Sequence, residues 1–488
     1  MLSQTLLSRE LLRDLCAAVG DGNVVTRREE TTVYDCDGLT LHKSLPAAVV
    51  FVQNTEQVAA VVKACHAHKH PYVARGAGTG LSGGTMALDH AVIIEMARMN
   101  RILEVNVTDR YAIVEPGVIN IHLTKACLAH QLHYAPDPSS QGACTIGGNV
   151  AENSGGPHTL KYGVTTNHIL GLEVVLPGGE VVTLGGPTSG TPGYDLVGLF
   201  TGSEGTFGIV TKVWCRLTPN PEAVRTLLAV FPTVDSATRA VSGIIAAGIV
   251  PAALELIDNN IIRAVENWLK LGLPLDAGAV LLIEIDGLRD GLEELSQRIM
   301  GVCREHRCLS VREARDNAER LLLWKARKQA FGAIGRLSPS YYVQDGVIPR
   351  TRLPEVLAKI EASARAHQLT VCNVFHAGDG NLHPVILFDE RDPSQVERAL
   401  ACNHDVMAAV VEAGGMLSGE HGIGIEKLEF MPQVFTQHDL DGMRRIRAVF
   451  DPEGLCNMGK AIPMRRCWEV KGHQPPVAPV LLNKRANA

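Results

Sequence analysis

The sequence predicts a globular chain of mixed helices and strands in at least two domains, and three observations predict it. The 488 residues are 46% hydrophobic and 20% charged, enough apolar content for more than one core. Residues 71–216 are unusually rich in glycine and carry short β-type runs at 91–96, 111–115, 172–176 and 206–213. From Pro219 the texture changes: Pro219, Pro221 and Pro232 punctuate a linker, after which longer helical patterns alternate with strands such as 280–285. This organisation divides the chain into a lead-in at 1–42, a first domain at 43–218, a second at 219–463 and a tail at 464–488.

The apolar stretch 6–19 is interrupted by Arg9, Glu10, Arg13 and Asp14, so it reads as an amphipathic helix and not as a secretion signal. A strand follows at 47–52, then a helix at 55–68 with Thr55 as its N-cap. The next strand, Tyr72-Val-Ala-Arg75, runs into Gly76-Ala-Gly-Thr-Gly-Leu-Ser-Gly-Gly84, whose small residues let backbone N–H groups close on a diphosphate. A Rossmann fingerprint continues straight into a helix. Here only a short link, 85–90, precedes the next strand, so the loop reads as a phosphate cradle of another fold. Two further clusters, Pro136-Asp-Pro-Ser-Ser-Gln-Gly142 with Thr145-Ile-Gly-Gly-Asn149 through Gly156, and Gly202-Ser-Glu-Gly-Thr-Phe-Gly208, offer amides and hydroxyls to an extended ligand.

Charge and cysteines narrow the classes. A net charge of −6 leaves no basic footprint for nucleic acid. None of the twelve cysteines forms a C-x-x-C pair, and Cys303 and Cys308 lack companions at iron–sulfur or zinc spacing. The chain is expected in a reducing compartment, the cytoplasm, without a cluster of its own. Nowhere do eighteen apolar residues run together, so no transmembrane segment is expected.

The chemistry concentrates in His376-Ala-Gly-Asp-Gly-Asn-Leu-His383 and Ser418-Gly-Glu-His-Gly-Ile-Gly424. Apolar residues flank the octapeptide and Gly378-Asp-Gly-Asn381 reads as a turn, which folds the two histidines onto one face. Glu420 adds a carboxylate, giving a two-histidine, one-carboxylate set with open positions, as expected of a catalytic zinc or similar divalent ion. His421, beside it, is expected to project elsewhere and to be free to act as a base. Histidines near a turn also occur as surface or core residues; the glycine-flanked Glu-His pair is what moves the reading toward a metal.

Together, Arg75-Gly-Ala-Gly-Thr-Gly80, Thr145-Ile-Gly-Gly-Asn149, Asn153-Ser-Gly-Gly-Pro157 with Lys161-Tyr-Gly163, and Gly202-Ser-Glu-Gly-Thr-Phe-Gly208 resemble the FAD-binding domain of the vanillyl-alcohol-oxidase-type flavoproteins. The histidine motifs narrow the resemblance to the D-2-hydroxy-acid dehydrogenase branch, with glycolate oxidase FAD subunits, D-lactate and D-2-hydroxyglutarate dehydrogenases. It covers about residues 20–463. The resemblance implies an α+β fold, a two-part FAD-binding domain followed by a cap domain with an antiparallel sheet and helices. It implies that Arg75, Gly76, Ala77, Gly78, Thr79, Gly80 and Leu81 hold the pyrophosphate. Gly148, Asn149, Asn153, Gly155 and Gly156 would lie along the flavin, and Asn457 would close the site. Pro136, Asp137, Thr145, Tyr162, Gly163, Glu204, Gly205 and Ile209 complete the implied cofactor set.

The implied reaction is oxidation of glycolate or D-lactate to the 2-oxo acid by hydride transfer to FAD. His376, His383 and Glu420 would hold the metal, His421 would take the proton and Arg327 would bind the substrate carboxylate. Relatives with covalent flavin carry a histidine in the pyrophosphate loop; none stands between Arg75 and Gly84, so FAD is expected to be non-covalent. Where some relatives add a lysine, this chain has Tyr341-Tyr342-Val343, which disfavours a second carboxylate and hence D-2-hydroxyglutarate. Met458 replaces the proline usual in the C-terminal motif. Electrons would leave to an iron–sulfur subunit and a second flavin-type subunit of a glycolate oxidase complex, on the way to quinone, with the chain peripheral to the membrane. A non-redox metallohydrolase would share the histidines and glutamate but leaves the glycine loops unexplained; an FAD carrier would leave the metal motif unexplained.

Overall fold

The computed structural model describes residues 7–188, 190 and 192–463. The tail placed at 464–488 lies outside these. The helix Arg9–Val19 starts at Ser8, whose Oγ accepts from Leu11 N at 3.1 Å, and it turns Leu11, Leu15 and Val19 inward against the helix Thr55–Ala67. That second helix is capped by Asn54, not by Thr55: Asn54 Oδ1 accepts from Gln57 N at 2.9 Å. Both side chains can cap, but Thr55 Oγ1 is used for tertiary contact, donating to Glu173 Oε1 at 2.7 Å.

The first half of the chain builds two main sheets and a two-stranded ribbon, Leu132–His133 with Thr218–Pro219. In the four-stranded one the order is Val24–Val25, Ala48–Phe51, Val92–Glu95, Tyr72–Arg75, with the last three parallel. Tyr72–Arg75 and Val92–Glu95 are thus parallel neighbours joined without an α-helix, which leaves residues 76–91 as an open loop at the sheet's end. The five-stranded antiparallel sheet runs Ile102–Asn106, Tyr111–Val114, Ile209–Arg216, Ile169–Val175, Val181–Gly185. Between these strands the helix Ile146–Glu152 is capped by Thr145 and stopped by Asn153 at φ +53°.

The second half is one antiparallel sheet with helices on both faces. Its central strands are Ala223–Phe231, Ala279–Gly287, Ala253–Asp258 and Thr370–His376. Successive residues alternate between two cores: Leu227, Ala229 and Phe231 face the layer with helices Val234–Ala246, Leu292–Glu305 and Leu353–Ala366, whereas Leu228 and Val230 face Asn259–Leu269 and Asn317–Lys328. Burial on both faces explains why these strands read as continuous apolar runs. The fold is α+β.

Two features bring the halves together at one site. The octapeptide forms a strand, turn and strand as expected, with His376 opposite Asn381 and the following Pro384–Phe388 paired back on Thr370–His376. Gly380, at φ +82°, permits the turn, since a Cβ there would strike Ile348 O. The C-terminal segment then returns to the first sheet: Asn457 N donates to Tyr72 O at 2.8 Å, and Asn457 Nδ2 donates to Gly84 O at 3.0 Å and Glu204 O at 2.6 Å.

Candidate active site

The histidine and glutamate motifs converge. Glu420 Oε1 lies 3.1 Å from His376 Nε2 and 2.9 Å from His383 Nε2, all three residues being largely buried. Their ligand atoms fall within 4.8 Å of one another. His376 Nδ1 is occupied by Glu255, at 2.8 and 3.0 Å, and His383 Nδ1 by the carbonyl of Gln344 at 3.1 Å. Each ring therefore turns its Nε2 toward Glu420, the arrangement by which outer partners orient metal-binding imidazoles. His383 Nε2 has no hydrogen bond of good geometry despite its nearness to Glu420. Two imidazole nitrogens and one carboxylate fit a divalent cation of the zinc type, with open positions left over.

His421 departs from expectation. It does not project away: its ring stacks on His383 with centroids 4.8 Å apart and planes 11° apart, and its Nε2 is 3.8 Å from Glu420 Oε1. The cause is the loop's curl around Asp345, which accepts from the amides of Gly419, Glu420 and His421 at 2.9–3.2 Å and from Ser418 Oγ at 2.5 Å. With one carboxylate collecting successive N–H groups, neighbouring side chains both face inward. Gly422, at φ +82°, completes the curl, and a Cβ there would collide with Glu152.

The charges interlock. Burial pushes Glu420 upward, but His376 and His383 more than reverse this and hold its carboxyl well below the usual range. Burial lowers His421 to about 4 in spite of Asp345, so the imidazole is neutral at neutral pH. Glu255, opposed by burial, is held low by Arg327 and His376. Arg327 itself is buried with its Nη2 2.6 Å from Glu255 Oε2. It is not on the wall of the large cavity in front of the histidines; its neighbour Lys328 is. The helix face explains the exchange: Arg327 follows Leu323 and Trp324 toward the core, one position from the residue that faces the cavity.

That cavity, about 320 Å³, runs from His383, Glu420 and His421 past Lys328, Phe331, Tyr341 and Val343 to the glycine loop. Gly76, Ala77, Gly78, Thr79, Gly80, Leu81, Thr145, Gly148 and Asn149 line it. A second void of about 80 Å³ shares Gly76, Thr145 and Gly148 and is lined by Arg75, Glu204, Gly205, Ile209 and Asn457. Beside the loop, the buried atoms Asp37 Oδ2, Ser82 Oγ and Glu152 Oε2 have no hydrogen-bond partner among the described residues. The bare backbone N–H groups of the groove, with the Ser82 hydroxyl free to donate beside them, fit a dinucleotide diphosphate.

Seven expected cofactor residues are on neither wall. Pro136 offers its carbonyl to Asn120, Asp137 accepts from His158, and Asn153 caps a helix while accepting from Thr166 N. Tyr162 donates to Asp286 at 2.6 Å, and Gly163 ends a short helix at φ +84°. Gly155 and Gly156 line a separate cavity of about 230 Å³. These positions hold the loops and the junction between the two halves, a use of small and polar residues that sequence does not separate from ligand contact. Glu152, Lys328, Phe331, Glu255 and Asp345 were not singled out; only burial and pairing across the fold distinguish them.

Residues 46–185 match the FAD binding domain family, and residues 220–461 match the family of FAD linked oxidases, C-terminal domain. The glycolate oxidase subunit GlcD of Escherichia coli (strain K12) is 48% identical over 442 residues, covering 90% of this chain and 89% of that protein. The chain belongs to the FAD-linked oxidases. GlcD of Bacillus subtilis (strain 168) is 38% identical to this FAD-linked oxidase, covering 93% of this chain and 97% of that one. The mitochondrial D-lactate dehydrogenase [cytochrome] of Arabidopsis thaliana is 30% identical, covering 94% and 81%. Among solved structures, p-cresol methylhydroxylase with substrate bound superposes with a TM-score of 0.81 at 18% identity, covering 95% of this chain and 98% of that one. The 4-ethylphenol oxidase from Gulosibacter chungangensis does so with 0.78 at 21%, covering 94% and 99%. The vanillyl-alcohol-oxidase-type fold is thereby shared, and the FAD-linked oxidase is an FAD-dependent oxidoreductase.

Proposed function

We propose that the chain oxidises a small D-2-hydroxy acid, glycolate or D-lactate, to its 2-oxo acid with non-covalently bound FAD and a divalent cation. The observation that carries this reading is the His376, His383 and Glu420 cluster, of which His383 and Glu420 face the same 320 Å³ cavity as the glycine cradle. Relatives named glycolate oxidase subunit and D-lactate dehydrogenase support the substrate class. FAD supplies the two-electron acceptor, and a divalent cation a Lewis acid for the substrate hydroxyl.

The chain's residues do the rest. His376, His383 and Glu420 hold the cation, with Glu255 and Asp345 fixing their orientation. His421, neutral and stacked on His383, takes the hydroxyl proton. Because Arg327 lies off the cavity wall against Glu255 and Lys328 lies on it, Lys328 is the cation we assign to the substrate carboxylate, while Arg327 holds the Glu255 carboxyl low behind His376. Tyr341 and Val343 stand on the wall where some relatives have lysine, so the cavity offers no second cation for a dicarboxylate, against D-2-hydroxyglutarate. The three glycine loops of 43–218 form the cofactor side and 219–463 the substrate side. Electrons pass to a partner, which we take to be an iron–sulfur protein; that relatives are named as oxidase subunits supports a multi-subunit assembly and not the partner's cofactor. A panel of 2-hydroxy acids assayed with an artificial dye acceptor tests the reading. Turnover confined to short monocarboxylates is expected, and preference for 2-hydroxyglutarate or for no hydroxy acid overturns it.

A further inference from the structure

We propose that the 230 Å³ cavity behind the histidine–carboxylate cluster is a loading port for hydrated divalent cations, separate from the route taken by substrate. The proposal rests on the reading of His376, His383 and Glu420 as metal holders. Those residues form a partition: His383 and Glu420 face the large front cavity, His376 and Glu420 face the rear one, and Glu420 belongs to both walls. Its two oxygens divide the work. Oε1 sits between the imidazoles, whereas Oε2 lies only 2.8 Å from the position a Cβ on Gly155 would take, with Thr159 Oγ1 3.0 Å from the same point. The missing side chain at Gly155 keeps that oxygen within reach of the rear cavity, which Gly155 and Thr159 line.

The rear wall carries oxygen acceptors among glycines and apolar residues. Asp379 and Asn381 line it; Asn381 is 4% exposed and its Oδ1 has no hydrogen-bond partner among the described residues. Among the described residues no lysine or arginine is on that wall. Oxygen acceptors suit a hydrated divalent cation and disfavour a carboxylate substrate. The front cavity has the opposite character: Lys328 and the glycine cradle make it the place for an anionic substrate and a diphosphate. Once those fill it, the cluster is reached from the rear alone. Met416, 48% exposed, is the one exposed side chain on the rear wall and marks its mouth.

The test uses the full-length FAD-loaded protein stripped by chelator, with Mn²⁺ uptake followed by electron paramagnetic resonance. Met416→Glu is expected to take up Mn²⁺ about tenfold faster than Met416→Lys at low ionic strength, the size of effect that a difference of two unit charges exerts on a nearby divalent ion. The difference should shrink in high salt. Ser139→Lys, a charge placed on the front wall, should leave uptake unchanged, and both Met416 variants once loaded should reduce flavin like the parent. Equal uptake by the two Met416 variants, or slowing by Ser139→Lys alone, overturns the port while leaving the metal site standing. A parent that binds no Mn²⁺ or Zn²⁺ overturns the metal reading and the port with it.

Discussion

At the residue scale, His421 carries the chemistry most exposed to test. It is neutral, stacked on one proposed ligand and adjacent in sequence to another, so removing it deletes a base without deleting a ligand. His421→Ala should keep FAD and metal but slow flavin reduction at least about a hundredfold, the usual contribution of a positioned base. Undiminished reduction in rapid mixing removes the role. Lys328→Met should raise KM for glycolate about tenfold or more with a smaller change in kcat, as loss of a charge-assisted contact does; an unchanged KM returns the carboxylate to Arg327. The meeting of His376, His383 and Glu420 was legible in the sequence because glycine isolates each motif. Glu255 and Asp345 were not: Glu255 meets His376 across 121 positions of sequence and Asp345 meets His421 across 76, and no local pattern records such pairings.

Elements set how firmly the two halves meet. His158 leaves the first half and stacks on Trp324, centroids 5.3 Å apart, with Nδ1 2.9 Å from Asp137 and Nε2 3.4 Å from Glu284. Trp324 Nε1 donates to the same Glu284 at 2.6 Å and Arg320 adds a charge-assisted bond at 2.9 Å. Burial pulls His158 down, but Asp137 and Glu284 raise it from 6.5 to about 10, while Glu284, opposed by burial, falls to about 2. The folded state therefore binds the His158 proton more tightly than the unfolded state. Its stabilisation is full below about pH 6.5 and is lost as pH rises through about 10. The Tm gap between the parent and His158→Gln should be widest near pH 6 and narrow toward pH 10. A gap that widens over that range contradicts the ion-pair account. Gly76 gives a second check: a side chain there would collide with Thr145 Oγ1 in the cradle, so Gly76→Val should purify without FAD absorbance. Retained stoichiometric FAD places the diphosphate elsewhere. The strand, loop, strand run at 72–95 was readable because its link is too short for a crossover helix. The helix cap was misplaced by one residue since Asn54 and Thr55 are both competent, and only the contact with Glu173 decides between them.

The whole molecule places the cofactor cradle and two members of the histidine cluster on one cavity, with the returning C-terminal segment on the smaller void beside the cradle. Its cofactor half was legible through three glycine clusters, each close to the residues that now line it. Tyr162 and Lys161 read as cofactor loops but serve as struts to the cap, because polar residues beside glycine look alike whether they meet a ligand or another domain. Among the described residues no helix is long and apolar enough to cross a membrane. With electrons proposed to leave through a partner, the isolated chain should turn over slowly in air and be restored by a dye acceptor. Rapid stoichiometric hydrogen peroxide formation contradicts that exit. The most direct measurement is anaerobic mixing of the FAD-loaded, metal-loaded protein with glycolate, D-lactate and D-2-hydroxyglutarate while the visible flavin band is followed. Bleaching by glycolate or D-lactate, absent after chelation and recovered on adding Zn²⁺, is the predicted result; a flavin left oxidised by every 2-hydroxy acid, or bleached equally without metal, contradicts the account.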